Sequence, residues 1–392
     1  MGLAIRFRLA VVAAGIASLA ATQQSSPEEQ FNAAVEQLRA GQSADALSTL
    51  RDLTAAAPEF HLAQLVYGEL LAAVSGSGNS VLPETSPESA ARLRDLADEA
   101  KVRLASEKAV PPAGAVPNTV LQLADSYRNL VLVDLPRARL YVLKNEDGKL
   151  SLVQHSYAAM GKNGARKQVA GDMRTPVGLY HVTRWIPDAE LPELYGSGAL
   201  PLDYPNVWDR ALRRTGSGIW LHGVPRNTYS RPPLSSEGCV TMANNDLQAL
   251  RPFVRFGQTP VILSDEVEWV PAAAVTALRD EFASAVEDWR AKWAAKDTEG
   301  YLSYYDDSFS TDDMSRARFA AHKRRVNASK KFIDIKLRDL SLFRYPGADK
   351  PLLLAEFTMD YHSDNYSVTT RKQQYWTQTA SGAFKIVRED NR

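Results

Sequence analysis

The hydrophobic pattern of this chain changes period twice, and those changes constrain its fold more than any other feature. Over residues 26–73 apolar side chains recur at helical spacing: Phe31, Val35 and Leu38, then Ala46, Leu47, Leu50 and Leu53. Gly41 separates the two runs and Pro58 ends the second. From Leu130 short apolar or alternating runs take over: NLVLVDLPRARLYVLK, then DGKLSLVQHSYAAMG after an Asp147-Gly148 turn, TPVGLYHVTRW, SGIWLHGV and TPVILSD. From Val267 the texture changes again. A long helix is predicted over 275–295, with Leu278, Phe282, Val286, Trp289 and Trp293 apolar, followed by four alternating segments. Three textures in 392 residues predict a multidomain protein: an α-helical front, a β-rich middle and an α+β rear.

The breaks between textures set the expected boundaries. SGSGNS over 75–80 is a flexible break. A further helix over 86–106 is expected, capped by Ser86 or Ser89. VPPAGAVPN over 110–118 reads as a Pro-rich linker. The resulting division is 1–22, 26–110, 118–266 and 273–392. Residues 1–22 read as a cleavable export signal: Arg6 and Arg8, an apolar run over 9–21, then small residues at Ser18 and Ala20. That run is too short to cross a hydrocarbon core of ~30 Å comfortably, and no Cys follows it as a lipid anchor would need. The expected location is therefore periplasmic.

Lys+Arg and Asp+Glu both total 46, which argues against a nucleic-acid partner bound through a broad basic surface. The six His are scattered, with no His-Glu-x-x-His and no Cys cluster, so no metal is expected. No phosphate-cradling Gly-rich loop is present, and no cofactor is expected.

The chain has one cysteine, Cys239. A lone thiol in an exported protein is a passive buried residue, an intermolecular link or a reactive group. Its neighbourhood favours the third reading. In GIWLHGVPRNTYSRPPLSSEGCVTMANNDLQAL, an apolar strand delivers His222-Gly223, a Pro-rich loop follows, and Ser236-Glu237-Gly238-Cys239 leads toward a helix capped by Asn244 or Asn245. Acyl transfer needs a nucleophile, a base, a group that orients the base, and donors for an oxyanion. Cys239 is the candidate nucleophile and His222 its base. The Gly223 carbonyl is the candidate group that orients the imidazole, and Gly238 lets the backbone approach a substrate and present N–H groups. His155 and His181 read as structural strand residues, with His181 placed to line the cleft as the alternative. The aromatic cluster Tyr301, Tyr304, Tyr305 and Phe309 reads as core, with a ligand pocket as the alternative.

These residues resemble the L,D-transpeptidase (YkuD-type) family, which carries His-Gly, a loop, then Ser/Thr-x-Gly-Cys. The resemblance extends upstream to Gly171-Asp172 and Thr175-Pro176-x-Gly178 within GKNGARKQVAGDMRTPVGLY. It covers the middle third of the chain. Glu237 stands where many members have His, and Thr241 where many have Arg. The front resembles a tetratricopeptide-type helical hairpin, a module suited to a protein partner or self-association. VEDWRAKWAAKDTEGYLSYYDDSF is similar to the opening of nuclear-transport-factor-2-like (NTF2-like) domains, which form α+β cones. The resemblance implies an exported enzyme that attacks peptidoglycan stem tetrapeptides through a Cys239 thioester, as a transpeptidase. A carboxypeptidase that trims the stem for cell shape is one alternative, and a non-catalytic wall adaptor is another. It implies oxyanion or substrate contacts at Gly238, Ser236 and Thr241, and cationic contacts to stem carboxylates at Lys167, Arg174, Arg226 and Arg231.

Overall fold

The computed structural model describes residues 25–75, 87–107 and 110–391. The expected export signal over 1–22, most of the SGSGNS break and the Ser86 cap lie outside the described residues.

Four helices form the front among the described residues: Pro27–Arg39, Ser43–Ala56, His61–Val74 and Pro87–Glu107. The first starts at a reciprocal cap. Ser26 Oγ accepts the Glu29 N–H, and the Glu29 carboxylate accepts the Ser26 N–H at 2.7 Å. The helical spacing seen in the sequence puts Phe31, Leu50, Leu53, Phe60 and Leu62 into one core. That core also takes in Tyr229 and Ala243 of the middle segment, so the helices are packed onto it.

The middle is built on a five-stranded sheet in the order Lys149–Tyr157, Arg139–Glu146, Asn129–Asp134, Pro260–Ser264, Gly178–His181. Its central strand, NLVLVD, carries the unbroken apolar run Leu130–Val133 because both faces are covered. Val131 and Val133 face a core of the same segment with Leu140, Val142, Tyr180 and Leu221. Leu130 and Leu132 face the other way, into a core shared with Phe343, Leu354 and Tyr375 of the rear. Each such side chain, fully buried, contributes roughly 1.5–3 kcal/mol. A second, four-stranded sheet follows the order Val240–Thr241, Trp220–His222, Gly198–Pro201, Ile186–Pro187.

The rear is an α+β cone. Helix Thr276–Ala294 lies against strand Ile333–Arg344 of a six-stranded sheet, burying Phe282, Val286, Trp289 and Trp293. Tyr301, Tyr305 and Phe309 are in that core. The sheet's last strand comes from the front of the middle segment: Val120–Gln122 pairs antiparallel with Ile333–Arg344. Within the Pro-rich stretch, Ala115–Pro117 pairs with Trp269–Pro271. Pro117 sits at the end of this two-stranded ribbon, where its missing N–H costs little.

Candidate active site

Strand register places the two candidate catalytic residues. Trp220–His222 pairs parallel with Val240–Thr241, Leu221 opposite Val240 and His222 opposite Thr241. Leu221 and Val240 are fully buried in the core. Side chains alternate along a strand, so His222 and the residue before Val240, Cys239, face the opposite side together. The chain enters this strand through Gly238 at φ +125°, a conformation for which glycine is suited. A Cβ at Gly238 would stand 2.8 Å from the Arg174 carbonyl oxygen.

His222 is buried, and its Nδ1–H donates to the Gly223 carbonyl at 2.7 Å. A carbonyl only accepts, so this bond assigns the proton to Nδ1 and leaves the Nε2 lone pair available as a base. Burial pulls the imidazole pKa down to about 4, with the nearby Arg231 charge acting in the same direction. Burial pushes the Cys239 thiol up to about 11, against a hydrogen bond from the Trp220 backbone and the charge of Arg231. The resting pair is therefore neutral thiol and neutral imidazole across the whole neutral range. The thiol donates to the Gly218 carbonyl, with Sγ 3.3 Å from the oxygen. Alkylation of Cys239 by iodoacetamide is expected to rise about tenfold per pH unit between pH 7 and 10, because only the thiolate reacts. A rate that levels off near pH 8 would contradict a thiol held this high.

Ser236 shapes the turn before the thiol. Its hydroxyl donates to the Cys239 carbonyl at 2.6 Å and accepts the Gly238 N–H at 3.1 Å. Strand Leu234–Ser236 pairs parallel with Met160–Gly161, which brings the upstream motif beneath the thiol. A Cβ on Gly161 would stand 2.4 Å from the Met173 carbonyl oxygen, so only glycine fits there. Thr175 Oγ1 accepts the Gly161 N–H at 2.9 Å. Asp172 accepts from the backbone N–H groups of Gln168, Val169 and Arg174, and from Lys167 Nζ at 2.7 Å. Burial opposes its ionisation, but these donors together hold the carboxyl at about 2.

Two segments match known protein families. Residues 128–263 match the L,D-transpeptidase catalytic domain of YkuD type, and residues 281–390 match the Cds6 C-terminal NTF2-like domain. This chain carries both domains. Among solved structures it is similar to Bdellovibrio bacteriovorus Bd1075, at 27% identity and TM-score 0.62 over 71% of this chain and 98% of that one. It is also similar to the helical cell shape determining protein Pgp2 from Campylobacter jejuni, at 28% identity and TM-score 0.59, covering 70% of this chain and 95% of that one. No curated protein sequence matches it.

In the L,D-transpeptidase domain the cationic candidates have different fates. Lys167 is buried and bonded to Asp172 and to the Val169 carbonyl. Arg226 is exposed in an ion pair with Asp188 at 2.6 Å. Arg174 is exposed and donates to the Ala165 carbonyl. Arg231 is half-buried, donates to the Leu194 carbonyl at 3.4 Å, and is close enough to Cys239 for their charges to interact. Thr241 is buried beside His222, and its backbone pairs both ways with Ala159. Among the described residues no three His, Cys, Asp or Glu side chains come together as a metal site would require.

Two residues of the site carry no signal in the sequence. Tyr195, from the short helix Glu193–Tyr195, sets its ring edge-on to His222 with centroids 4.9 Å apart, and against Trp220 at the same distance. Asn244 was a candidate helix cap. Helix Asn244–Leu250 instead begins after Ala243 with no side-chain cap. The Asn244 amide is used across the site: Oδ1 accepts from Ser197 N–H at 2.8 Å and Val224 N–H at 3.3 Å, and Nδ2 donates to the Val224 carbonyl at 2.9 Å. It fills the space against Gly223, where an added Cβ would meet Oδ1 at 2.1 Å.

Proposed function

We propose that the protein is an extracytoplasmic peptidoglycan enzyme that transfers acyl groups through Cys239, acting as an L,D-transpeptidase on stem tetrapeptides. One observation carries this reading. A half-buried thiol shares a sheet face with an imidazole whose Nδ1–H is already bonded to the Gly223 carbonyl, so Nε2 is free to accept a proton.

In this reading Sγ attacks the carbonyl carbon of the third stem residue as its proton passes to His222 Nε2. The negative oxygen that forms is assigned to the backbone amides of the Gly238–Cys239 turn, with the Gly238 N–H lent to Ser236 Oγ at rest. The C–N bond to the terminal D-Ala then breaks, its amine takes the proton from His222, and a thioester remains. An acceptor amine gives up a proton to His222 as it attacks the thioester, and Cys239 recovers that proton on leaving.

Hydrolysis of the same thioester is the second reading. It is supported by the shared arrangement of both domains with Pgp2, a protein named for determining helical cell shape. Trimming a stem removes a crosslinking donor, which suits a role in shape. No helix among the described residues is long and apolar enough to cross a membrane. The substrate lies outside the cytoplasm, which supports a periplasmic location.

The test is the purified protein with a tetrapeptide muropeptide, with and without an acceptor stem, read by mass spectrometry. A crosslinked dimer is expected for the transpeptidase. Tripeptide alone would assign the carboxypeptidase. No product, with Cys239 unmodified, would overturn both and favour an adaptor.

A further inference from the structure

The helical front lies outside both family matches, which begin at residue 128. Yet it grips the loop that joins His222 to Cys239. Phe60 stacks on Tyr229 with centroids 4.2 Å apart, and the Tyr229 N–H donates to the Glu59 carbonyl at 3.1 Å. Ser230 Oγ donates to Glu99 at 2.5 Å. The same Glu99 oxygen accepts from Arg103 Nε at 2.8 Å, and both side chains are buried. The Arg103 guanidinium lies 4.0 Å above the Tyr157 ring, and the Tyr157 hydroxyl donates to the Arg231 carbonyl at 2.8 Å.

Tyr229 and Ser230 are thus fixed directly from the helical side, and Arg231 is fixed through Tyr157, the sheet residue on which Arg103 packs. The Arg231 side chain leaves this grip toward the chemistry. It donates to the carbonyl of Leu194, the neighbour of the Tyr195 that packs on His222. It also lines an open cleft of about 590 Å³ between helices and loop, where Arg92 and Arg231 stand among the carboxylates Glu59, Asp95 and Glu99. Of the cations near the thiol, Lys167 is committed to Asp172, while Arg231 faces this cleft. A half-buried guanidinium held by a long 3.4 Å hydrogen bond to a carbonyl is suited to receive a carboxylate.

We propose that the helical front is a working part of the active site: through Phe60, Glu99 and Arg103 it holds the Tyr229–Ser230–Arg231 segment so that Arg231 stands beside Cys239 as a receptor for a substrate carboxylate. Tyr229 and Ser230 are positioning residues that act through Arg231. The inference rests on Cys239 as the reactive thiol, and it deepens the reading of the site by making its anion recognition depend on a module outside the catalytic domain.

The test uses the full chain and a chemical probe that needs no turnover. Cys239 is alkylated at one fixed pH with iodoacetate, an anion, and with iodoacetamide, which is neutral. Arg231→Ala is expected to lower the iodoacetate-to-iodoacetamide rate ratio about tenfold, the size of a local charge effect in a cleft. Tyr229→Ala is expected to lower it similarly, while Tyr229→Phe, which keeps the stacked ring, stays near wild type. In the double variant Tyr229→Ala/Arg231→Ala the ratio is expected to equal that of Arg231→Ala alone. An unchanged ratio in Tyr229→Ala, or effects that multiply in the double variant, would overturn the proposal. Should Tyr229→Ala fail to fold, Ser230→Ala removes only the hydroxyl bonded to Glu99 and carries the same comparison. Because alkylation is read without substrate, a failed peptidoglycan assay leaves this result standing, and the reverse holds too.

Discussion

Replacing Cys239 with alanine is expected to abolish turnover of the stem peptide, by roughly 10⁴-fold or more, while the fold stays intact. The side chain is half-buried, and its thiol hydrogen bond is to the Gly218 carbonyl at 3.3 Å, a weak contact to lose. The stability change should stay below about 1 kcal/mol. The chemistry, in contrast, has no substitute, because this is the chain's one cysteine. His222→Ala separates the base from the nucleophile. With the thiol at about 11, roughly one molecule in 10⁴ carries a thiolate at pH 7. The His222→Ala enzyme should therefore be nearly inactive at pH 7, and its residual rate should climb about tenfold per pH unit toward pH 11. Turnover that persists in Cys239→Ala, followed by mass spectrometry of the product, would remove the thioester from the mechanism.

The parts of the site that were legible in the sequence are those where chemistry restricts the residue type. A thiol, an imidazole followed by glycine, and a glycine before the thiol have few replacements, and they stand close together along the chain. The strand that carries His222 was also legible, because a short apolar run ending at the site has few other uses. The residues that orient the site were not. Asn244 bonds to Ser197 and Val224 across separate loops, and an asparagine near a helix start reads as a cap. Tyr195 comes from a three-residue helix with no periodic pattern. For the domains, both textures flanking the middle segment were visible. That Val120–Gln122 completes the sheet of the rear was not, since three residues carry no periodicity and the partner strand is remote. Lys167 reads as a cation for a stem carboxylate, yet Asp172 and a backbone carbonyl take its ammonium. Charge alone says nothing about which partner a loop will fold against.

His181 shows the same limit and leads to the second large effect. It ends the strand Gly178–His181 of the upstream motif and meets the NTF2-like domain in a buried polar cluster. Its Nε2 lies 3.2 Å from Arg371 Nη2 and 3.6 Å from a Glu356 oxygen, and its Nδ1 lies 3.8 Å from an Asp203 oxygen. Tyr127 donates to Glu356 at 3.0 Å, Gln373 also donates to it, and Arg371 lies 3.7 Å away. Burial disfavours charge on both partners, but the Glu356 carboxylate raises His181 above its ordinary value, and His181 with Arg371 holds Glu356 well below the carboxylate range. Glu356→Gln is expected to destabilise the two-domain unit by about 3–5 kcal/mol at mildly acidic pH, because His181 and Arg371 lose a buried counter-charge. The pH dependence has a definite sign. The depressed Glu356 contributes stability above about pH 4.3, its unfolded value, and that is lost as pH falls through its folded value. The raised His181 contributes stability that is complete below about 6.5 and lost as pH rises through its folded value. Wild-type melting temperature, measured by calorimetry across pH, should therefore peak on the mildly acidic side of neutrality. In Glu356→Gln the decline attributable to His181 should begin at lower pH, since the charge that raised it is gone. If the two profiles run parallel, the cluster does not couple the domains by charge. If they converge at alkaline pH, where His181 is neutral in both, the stabilisation lost in Glu356→Gln is that of the charged His181–Glu356 pair, and Arg371 contributes little to docking of the NTF2-like domain.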